Sequence, residues 1–303
     1  MTRHRTTARG ALVLLPLLLI GLAVATASAQ NEPIGGGAGP TTGGQSRDGI
    51  VFPVVGKVGY ADDFGDPRPG GPHQGNDIVA PKRALAVAAE AGTVKFWTTS
   101  RSAGCMLYLY GKSGTTYLYI HLNNDLTNGN DNRGACIAGV AYAPALKSGA
   151  RVAAGEPVGF VGDSGDANGI HAHLHFEVHP KDGAAVSPYP YLQAATHLLF
   201  AAKPGTTFTL AVTGTVVASD DGHVELNATR VRCWPGSRLI AHDGLDVGVD
   251  LPATAEVDGG EATTLSPAAL GRIATVWTAP AKVTLAAETA NAGALQAAKV
   301  VLK

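Results

Sequence analysis

Ten histidines occur in the 303-residue chain, and four of them fall in one stretch, Gly169-Ile170-His171-Ala172-His173-Leu174-His175-Phe176-Glu177-Val178-His179. Imidazole is the commonest metal ligand in proteins and the side chain best suited to move protons near neutral pH. Here it recurs at every second residue, with Ile170, Ala172, Leu174, Phe176 and Val178 in between. That alternation predicts a β-strand with one buried face, so that His171, His173, His175, Glu177 and His179 share the other. Two further pieces complete a chemical set. His73-Gln74-Gly75-Asn76-Asp77 places an imidazole and a carboxylate four residues apart, on one side of an extended chain. Tyr119-Ile120-His121-Leu122 ends a strand-like run with another histidine. Two imidazoles and a carboxylate are a donor set that Zn2+ takes with a fourth position left for water, which is what a catalytic zinc needs.

The elements that must position these residues read as short strands. Between Ile50 and Tyr191, strand-like runs at residues 86–89, 92–97, 106–110, 116–121 and 157–161 are broken by Gly and Pro, and no long segment has helical spacing. This predicts an antiparallel, sheet-rich domain. Residues 123–149 form a long connection whose first part is polar, which is either a functional loop over a site or a tolerated surface insertion. A short helix is expected over residues 192–202, before the break at Lys203-Pro204-Gly205. Beyond it Phe208, Leu210 and Val212, then Val224, Leu226 and Ala228, then Val247, Val249 and Leu251 alternate with polar or small neighbours. These half-buried strands predict a second, all-β domain of sandwich type. His223 and His242 lie in Gly/Asp-containing turns and are expected at the surface, and His197 is expected to be structural.

At the start of the chain, Arg3, Arg5 and Arg9 precede an apolar run at residues 11–25 and then Ala27-Ser28-Ala29. That order is the pattern of a secretory signal cleaved near Ala29. An uncleaved anchor is the alternative, but the run is shorter than the roughly 20 residues a spanning helix needs. The expected organisation is a signal peptide at 1–29, a Gly-rich linker at 30–49, a site-bearing domain at 50–203 and an all-β accessory domain at 204–303. No later stretch is long and apolar enough to span a bilayer, so the expected product is secreted, extracytoplasmic and without a membrane span. Loss of the signal removes three arginines and no acid, making a chain of formal charge −1 more acidic. Without Lys/Arg clusters it carries no electrostatic footprint for nucleic acid. The three cysteines, Cys105, Cys136 and Cys233, allow one bridge in an oxidising compartment. Cys105–Cys136 is the expected pair, because both lie in the first domain.

Taken in order, His73-x-x-x-Asp77, Tyr119-Ile120-His121-Leu122 and His173-Leu174-His175-Phe176-Glu177-Val178 resemble the lysostaphin/LytM-type zinc metallopeptidases that cut peptide bonds in bacterial peptidoglycan. The likeness covers roughly residues 50–191. It extends to Phe52-Pro53-Val54, to Asp63-Phe64-Gly65-Asp66-Pro67-Arg68, to Ala88-Ala89-x-x-Gly92-Thr93-Val94 and to Val161-Gly162-Asp163-Ser164-Gly165. The resemblance implies a mainly β fold, the duplicated hybrid motif, with the site in a groove across an antiparallel sheet. It implies that His73, Asp77 and His175 hold Zn2+. It makes His121 and His173 the catalytic pair, with His173 as general base and His121 donating to the oxyanion. It implies a cell-wall-associated endopeptidase acting on a stem-peptide or cross-bridge bond of peptidoglycan. A catalytically silent member, acting as a wall-binding or regulatory module, is the alternative. The accessory domain is expected to meet the wall or a protein partner.

The chain departs from the family pattern by one extra His-Ala step at His171-Ala172. The working pair is therefore either His173/His175 or His171/His173, and the downstream order Leu174-His175-Phe176-Glu177-Val178 favours the former. His171 then lies at the rim or is inert, Glu177 orients an imidazole or is merely solvated, and His179 has no assigned role.

Overall fold

The computed structural model describes residues 49–220, 222–258, 269–283 and 295–303. The expected signal peptide, and the expected linker up to residue 48, lie outside the described residues. The alternating strands of the first part assemble into one six-stranded sheet. Its order is Asn76–Val79, His173–His179, Thr116–Leu122, Cys105–Gly111, Gly92–Trp97, Arg151–Val152. Every neighbouring pair is antiparallel.

Burial on one face sets the register of the histidine strand. Leu174, Phe176 and Val178 are fully buried, in one core with Tyr117, Tyr119, Leu107 and Leu109. Phe176 stacks at 5.8 Å from the Tyr117 ring and meets Tyr119 edge-on at 5.3 Å. Burying each such side chain stabilises the fold by about 1.5–3 kcal/mol, and a one-residue slip would exchange that face for the imidazoles. The Tyr119 hydroxyl donates to the Val87 carbonyl at 2.9 Å and accepts from Ala89 N at 2.7 Å, so the core holds no orphaned phenol there. A two-stranded ladder, Leu85–Val87 with Pro157–Phe160, adds Ala86 and Val158 to the same core.

The strand begins at His173, two residues later than alternation suggests. A turn at Gly165–Ala167 and the positive φ of Gly169, 88°, keep residues 169–171 out of the ladder, and His171 is exposed. Cys105 and Cys136 are bridged, with Cα atoms 5.1 Å apart, which ties the long connection to the start of the Cys105–Gly111 strand. Cys233 is the free cysteine.

The C-terminal part is a seven-stranded sheet built on three long antiparallel strands, Thr207–Asp220, His223–Trp234 and Arg238–Asp250. Phe208, Leu210, Val212, Val224, Leu226 and Val249 point into its core, together with Val51, Val55, Leu198, Leu199 and Phe200 from earlier in the chain. That use of Leu198–Phe200 explains why the expected helix at 192–202 is only Tyr189–Gln193. Thr196 N donates to Ile50 O and its carbonyl accepts from Phe52 N, drawing the backbone into extended pairing. His197 stacks on Phe52 at 4.2 Å. His242 is part of a strand rather than a turn, and its Nε2 donates to Leu199 O at 2.9 Å. Among the described residues no helix is long and apolar enough to cross a membrane.

Candidate metal centre

His175 stands directly opposite Asp77 in the ladder between the histidine strand and Asn76–Val79. Directly opposed residues share a face, so sheet register alone brings this imidazole and this carboxylate together. His73 enters from the turn before Asp77, and Gly75 lies between them. A Cβ on Gly75 would stand 2.7 Å from His175 Nε2 and 2.6 Å from Phe176 O, so only glycine leaves room for the ring.

His73 Nε2, Asp77 Oδ1 and His175 Nδ1 form a triangle with edges of 2.9, 3.1 and 3.2 Å. An ion with tetrahedral bonds of about 2.0–2.1 Å spaces its donors about 3.3 Å apart, so the triangle fits zinc with little adjustment. The protons point the right way as well. His73 Nδ1 donates to Asp63 O at 2.9 Å and His175 Nε2 donates to Glu177 Oε1 at 3.0 Å. In a neutral ring the opposite nitrogen is then a lone pair, and both lone pairs face Asp77 Oδ1. The other carboxylate oxygen of Asp77 accepts from Arg68 Nη2 at 3.0 Å, leaving one oxygen for an ion. Asp63 braces the turn, accepting from Asn76 Nδ2 at 2.8 Å and Asp77 N at 3.3 Å.

Electrostatics follow the same pattern. Burial pushes the Asp77 carboxyl up, but hydrogen bonds from His175 and His73 outweigh it and hold the group far below the usual carboxylate range. Burial disfavours the His175 cation, yet hydrogen bonds to Asp77 and Glu177 prevail and raise its pKa to about 9. Proton and metal ion therefore compete for the same lone pair.

His173 and His121 stand beside this triangle. Their rings are 5.1 Å apart, and His121 is 5.9 Å from the His175 ring. His173 Nδ1 donates to His171 O at 3.0 Å, and His121 Nδ1 donates to Ser164 O at 2.9 Å. Each presents its Nε2, 3.7 Å from Asp77 Oδ1 for His173 and 3.7 Å from Asp166 Oδ1 for His121. Burial, then the neighbouring His173, lower the His121 pKa to about 4, so its resting Nε2 is an acceptor. His73, His121, His173 and Glu177 are 7, 8, 3 and 7% exposed, so the cluster sits in a water-poor environment where these interactions are strengthened.

His121 reaches the cluster by breaking its strand's alternation. Leu118 and Ile120 stand opposite Glu177 and His175, on the polar face, so His121 should follow Tyr117 and Tyr119 into the core. Its φ of 61°, in the left-handed region, turns the side chain back toward His173 instead. Ser164 holds it there. The Ser164 hydroxyl donates to Leu122 O and accepts from Cys105 N at 2.9 Å, while its carbonyl holds His121. Next to Ser164, buried Asp163 and Asp125 share Lys82, whose Nζ lies 2.8 and 2.7 Å from them.

Thus His73, Asp77, His175, His173 and His121 are brought together, and the exposed His171 meets the cluster by its carbonyl and a ring contact of 5.6 Å with His173. Glu177 accepts from His175, and from His179 Nε2 at 2.7 Å, which gives His179 a place in the network that sequence reasoning did not. Asp63, Arg68 and Ser164 were visible only as parts of motifs. Within residues 123–149, Asn130 and Asn132 donate to Asn168 Oδ1.

No protein-family model matches the sequence. Among solved structures, the chain is similar to one described as a glycyl-glycine endopeptidase LytM from Ruminococcus gnavus, at 25% identity, 48% coverage of this chain, 59% of the other and a TM-score of 0.39. A zinc-containing peptidase from Vibrio cholerae is 22% identical over 46% of this chain and 39% of its own, with a TM-score of 0.33. The matched region thus spans little more than half, or less, of these two structures. The catalytic domain of the antimicrobial peptidase lysostaphin from Staphylococcus simulans is 23% identical over 46% of this chain and 92% of its own, with a TM-score of 0.34. The solved structures similar to this chain therefore include LytM-type and lysostaphin peptidases, the family whose motifs its sequence resembles.

Proposed function

We propose that the protein is a secreted zinc metalloendopeptidase that hydrolyses a stem-peptide or cross-bridge bond of bacterial peptidoglycan. Residues 50–203 carry the chemistry, and residues 204–303 serve as an accessory domain toward the wall or a protein partner. The observation that supports this best is the orientation of the imidazoles. The rings of His73, His173 and His175 each spend one nitrogen on a carbonyl or carboxylate and turn the other toward Asp77 Oδ1, and the His121 ring stands beside them.

His73, Asp77 and His175 are the residues that would hold Zn2+, which when bound supplies Lewis acidity and an acidified water near neutral pH. His173, whose Nδ1 is fixed on His171 O, takes the proton of the attacking water on Nε2. His121 rests with Nε2 unprotonated, so it donates to the oxyanion only once that nitrogen has taken a proton from solvent. Arg68 keeps one Asp77 oxygen engaged, and Glu177 keeps the His175 ring in its tautomer.

The test joins elemental analysis for zinc with release of new amino groups from purified wall material. Bound zinc with release supports the proposal. Zinc without release points to the catalytically silent module, and neither would end the peptidase reading. His175→Ala should abolish metal binding, whereas His171→Ala, which keeps the carbonyl used by His173, should not. The reverse outcome would place the working pair at His171/His173.

A further inference from the structure

A cleft of about 390 Å3 opens between the segment that follows the Asp77 strand and the start of the Arg238–Asp250 strand. That volume is within the range of ligand-binding clefts. Its lining includes four cations, Lys57, Lys82, Arg83 and Arg238, and no carboxylate, in a chain whose overall charge is slightly negative. Two of the four are neutralised nearby. Lys57 pairs with Asp243 at 2.6 Å, and Lys82 pairs with Asp125 and Asp163.

The two arginines are not neutralised. Among the described residues neither Arg83 nor Arg238 has a carboxylate within ion-pair distance, yet the fold holds them together. Arg238 Nη1 donates to the Arg83 carbonyl at 3.2 Å, and Arg83 Nη1 donates to Leu126 O at 3.3 Å. Arg238 also lies over the Phe160 ring, 5.4 Å from its centroid. Burial, and then the charge of Arg83, lower the Arg238 pKa. Arg83 has a φ of 64°, and its N–H is tied to Val161 O at 2.8 Å. Strained backbone of this kind persists where surrounding contacts over-determine it, and it clusters at ligand sites. Both arginines line the cleft and their charges repel each other, and an oxyanion bound there would relieve that repulsion through charge-assisted, forked hydrogen bonds.

We propose that this cleft is an oxyanion-binding site in which Arg83 and Arg238 together hold a phosphate or carboxylate group. The site is independent of the metal centre and stands whether or not the protein hydrolyses peptides. Both arginines line a pocket with room for an organic group carrying the anion, so the ligand class is a phosphodiester or a carboxylate-bearing molecule.

The test titrates the full chain at low salt with inorganic phosphate and, separately, with acetate, following the Nε–Hε NMR signals of the arginines. Saturable shifts of Arg83 and Arg238 with at least one of the two anions are expected, and the tighter anion identifies the phosphate or the carboxylate source. Arg83→Gln and Arg238→Gln should each weaken binding by about tenfold, and Arg238→Lys, which keeps charge but loses the fork, should fall between. Arg151→Gln, outside the cleft, should bind as the unaltered chain does. Arg83→Gln leaves the Phe160 contact in place, so it carries the test if Arg238→Gln does not fold. Absence of saturation with both anions, or undiminished affinity in Arg83→Gln, would overturn the proposal.

Discussion

Gly75→Ala tests the metal centre without touching a candidate ligand. The added Cβ would lie 2.6 Å from Phe176 O and 2.7 Å from His175 Nε2, where ordinary contact starts at 3.4 Å. Something must therefore move by roughly 0.7 Å, and a strand carbonyl fixed in the ladder moves less readily than a ring. The ring edge pushed aside is the one bonded to Glu177 at 3.0 Å, and its far nitrogen forms two edges of the 2.9–3.2 Å triangle. Metal sites tolerate about 0.2 Å of ligand error, and losing an orienting partner costs about 10–100-fold in affinity. The expected result is that loss in a zinc competition titration, with about 1–3 kcal/mol of destabilisation from overpacking in the zinc-free protein. Gly59→Ala is the control, because its Cβ would meet nothing within 4 Å. Zinc affinity for Gly75→Ala equal to that of Gly59→Ala would refute the reasoning.

Lys82→Met strands two aspartates that are 0 and 2% exposed, and chemical denaturation should show a loss of about 3–5 kcal/mol, partly recovered by adding Asp125→Asn. In the zinc-free protein the His175 pKa, about 9, lies above its unfolded 6.5, so its stabilising contribution is full below pH 6.5 and is lost as pH rises through about 9. Zinc has the opposite sign: its apparent affinity should rise about tenfold per pH unit up to about pH 9, and a pH-independent titration would contradict proton–metal competition at His175. At position 121, with φ of 61°, His121→Gly should be about 1 kcal/mol more stable to chemical denaturation than His121→Ala, reversing the usual order of those residues, while both lose any hydrolytic activity. A bell-shaped pH profile is expected for hydrolysis by a histidine pair, and a flat profile between about pH 5 and 9 would count against it.

Much of the fold was legible in alternation. Leu174, Phe176 and Val178 define the buried face, and the same period places His173, His175 and Glu177 on the other. The pair His73 and Asp77 was legible as spacing, although the cross-strand match of Asp77 to His175 needed the ladder itself. Three features had no readable signal. The left-handed turn at His121 overrides the alternation set by Tyr117 and Tyr119, and nothing in a histidine announces a positive φ. The strand's start at His173 depends on a turn held by Ile170 N to Ala167 O. Leu198-Leu199-Phe200 is an apolar run without a period, so nothing in the sequence separates its irregular course into the second core from a helix.

The least legible part of the site is also the part least exposed to sequence change. Three of the four imidazoles are oriented by main-chain carbonyls, those of Asp63, Ser164 and His171. Every residue type supplies a carbonyl, so a substitution at His171 acts through the backbone path, whereas Asp63 and Ser164 also act through their side chains, the Asp63 carboxylate lying 3.3 Å from His73 Nδ1. His175 is the exception, because the Glu177 side chain holds it and is itself held by His179. Sensitivity to substitution around the cluster should therefore concentrate at Glu177, Gly75 and Asp63, and at Ser164, whose hydroxyl fixes the path of its own carbonyl. Glu177→Gln keeps an acceptor oxygen for His175 but removes the negative charge, so it separates the two contributions. If orientation dominates, zinc affinity survives the change; if charge dominates, it falls with the His175 pKa.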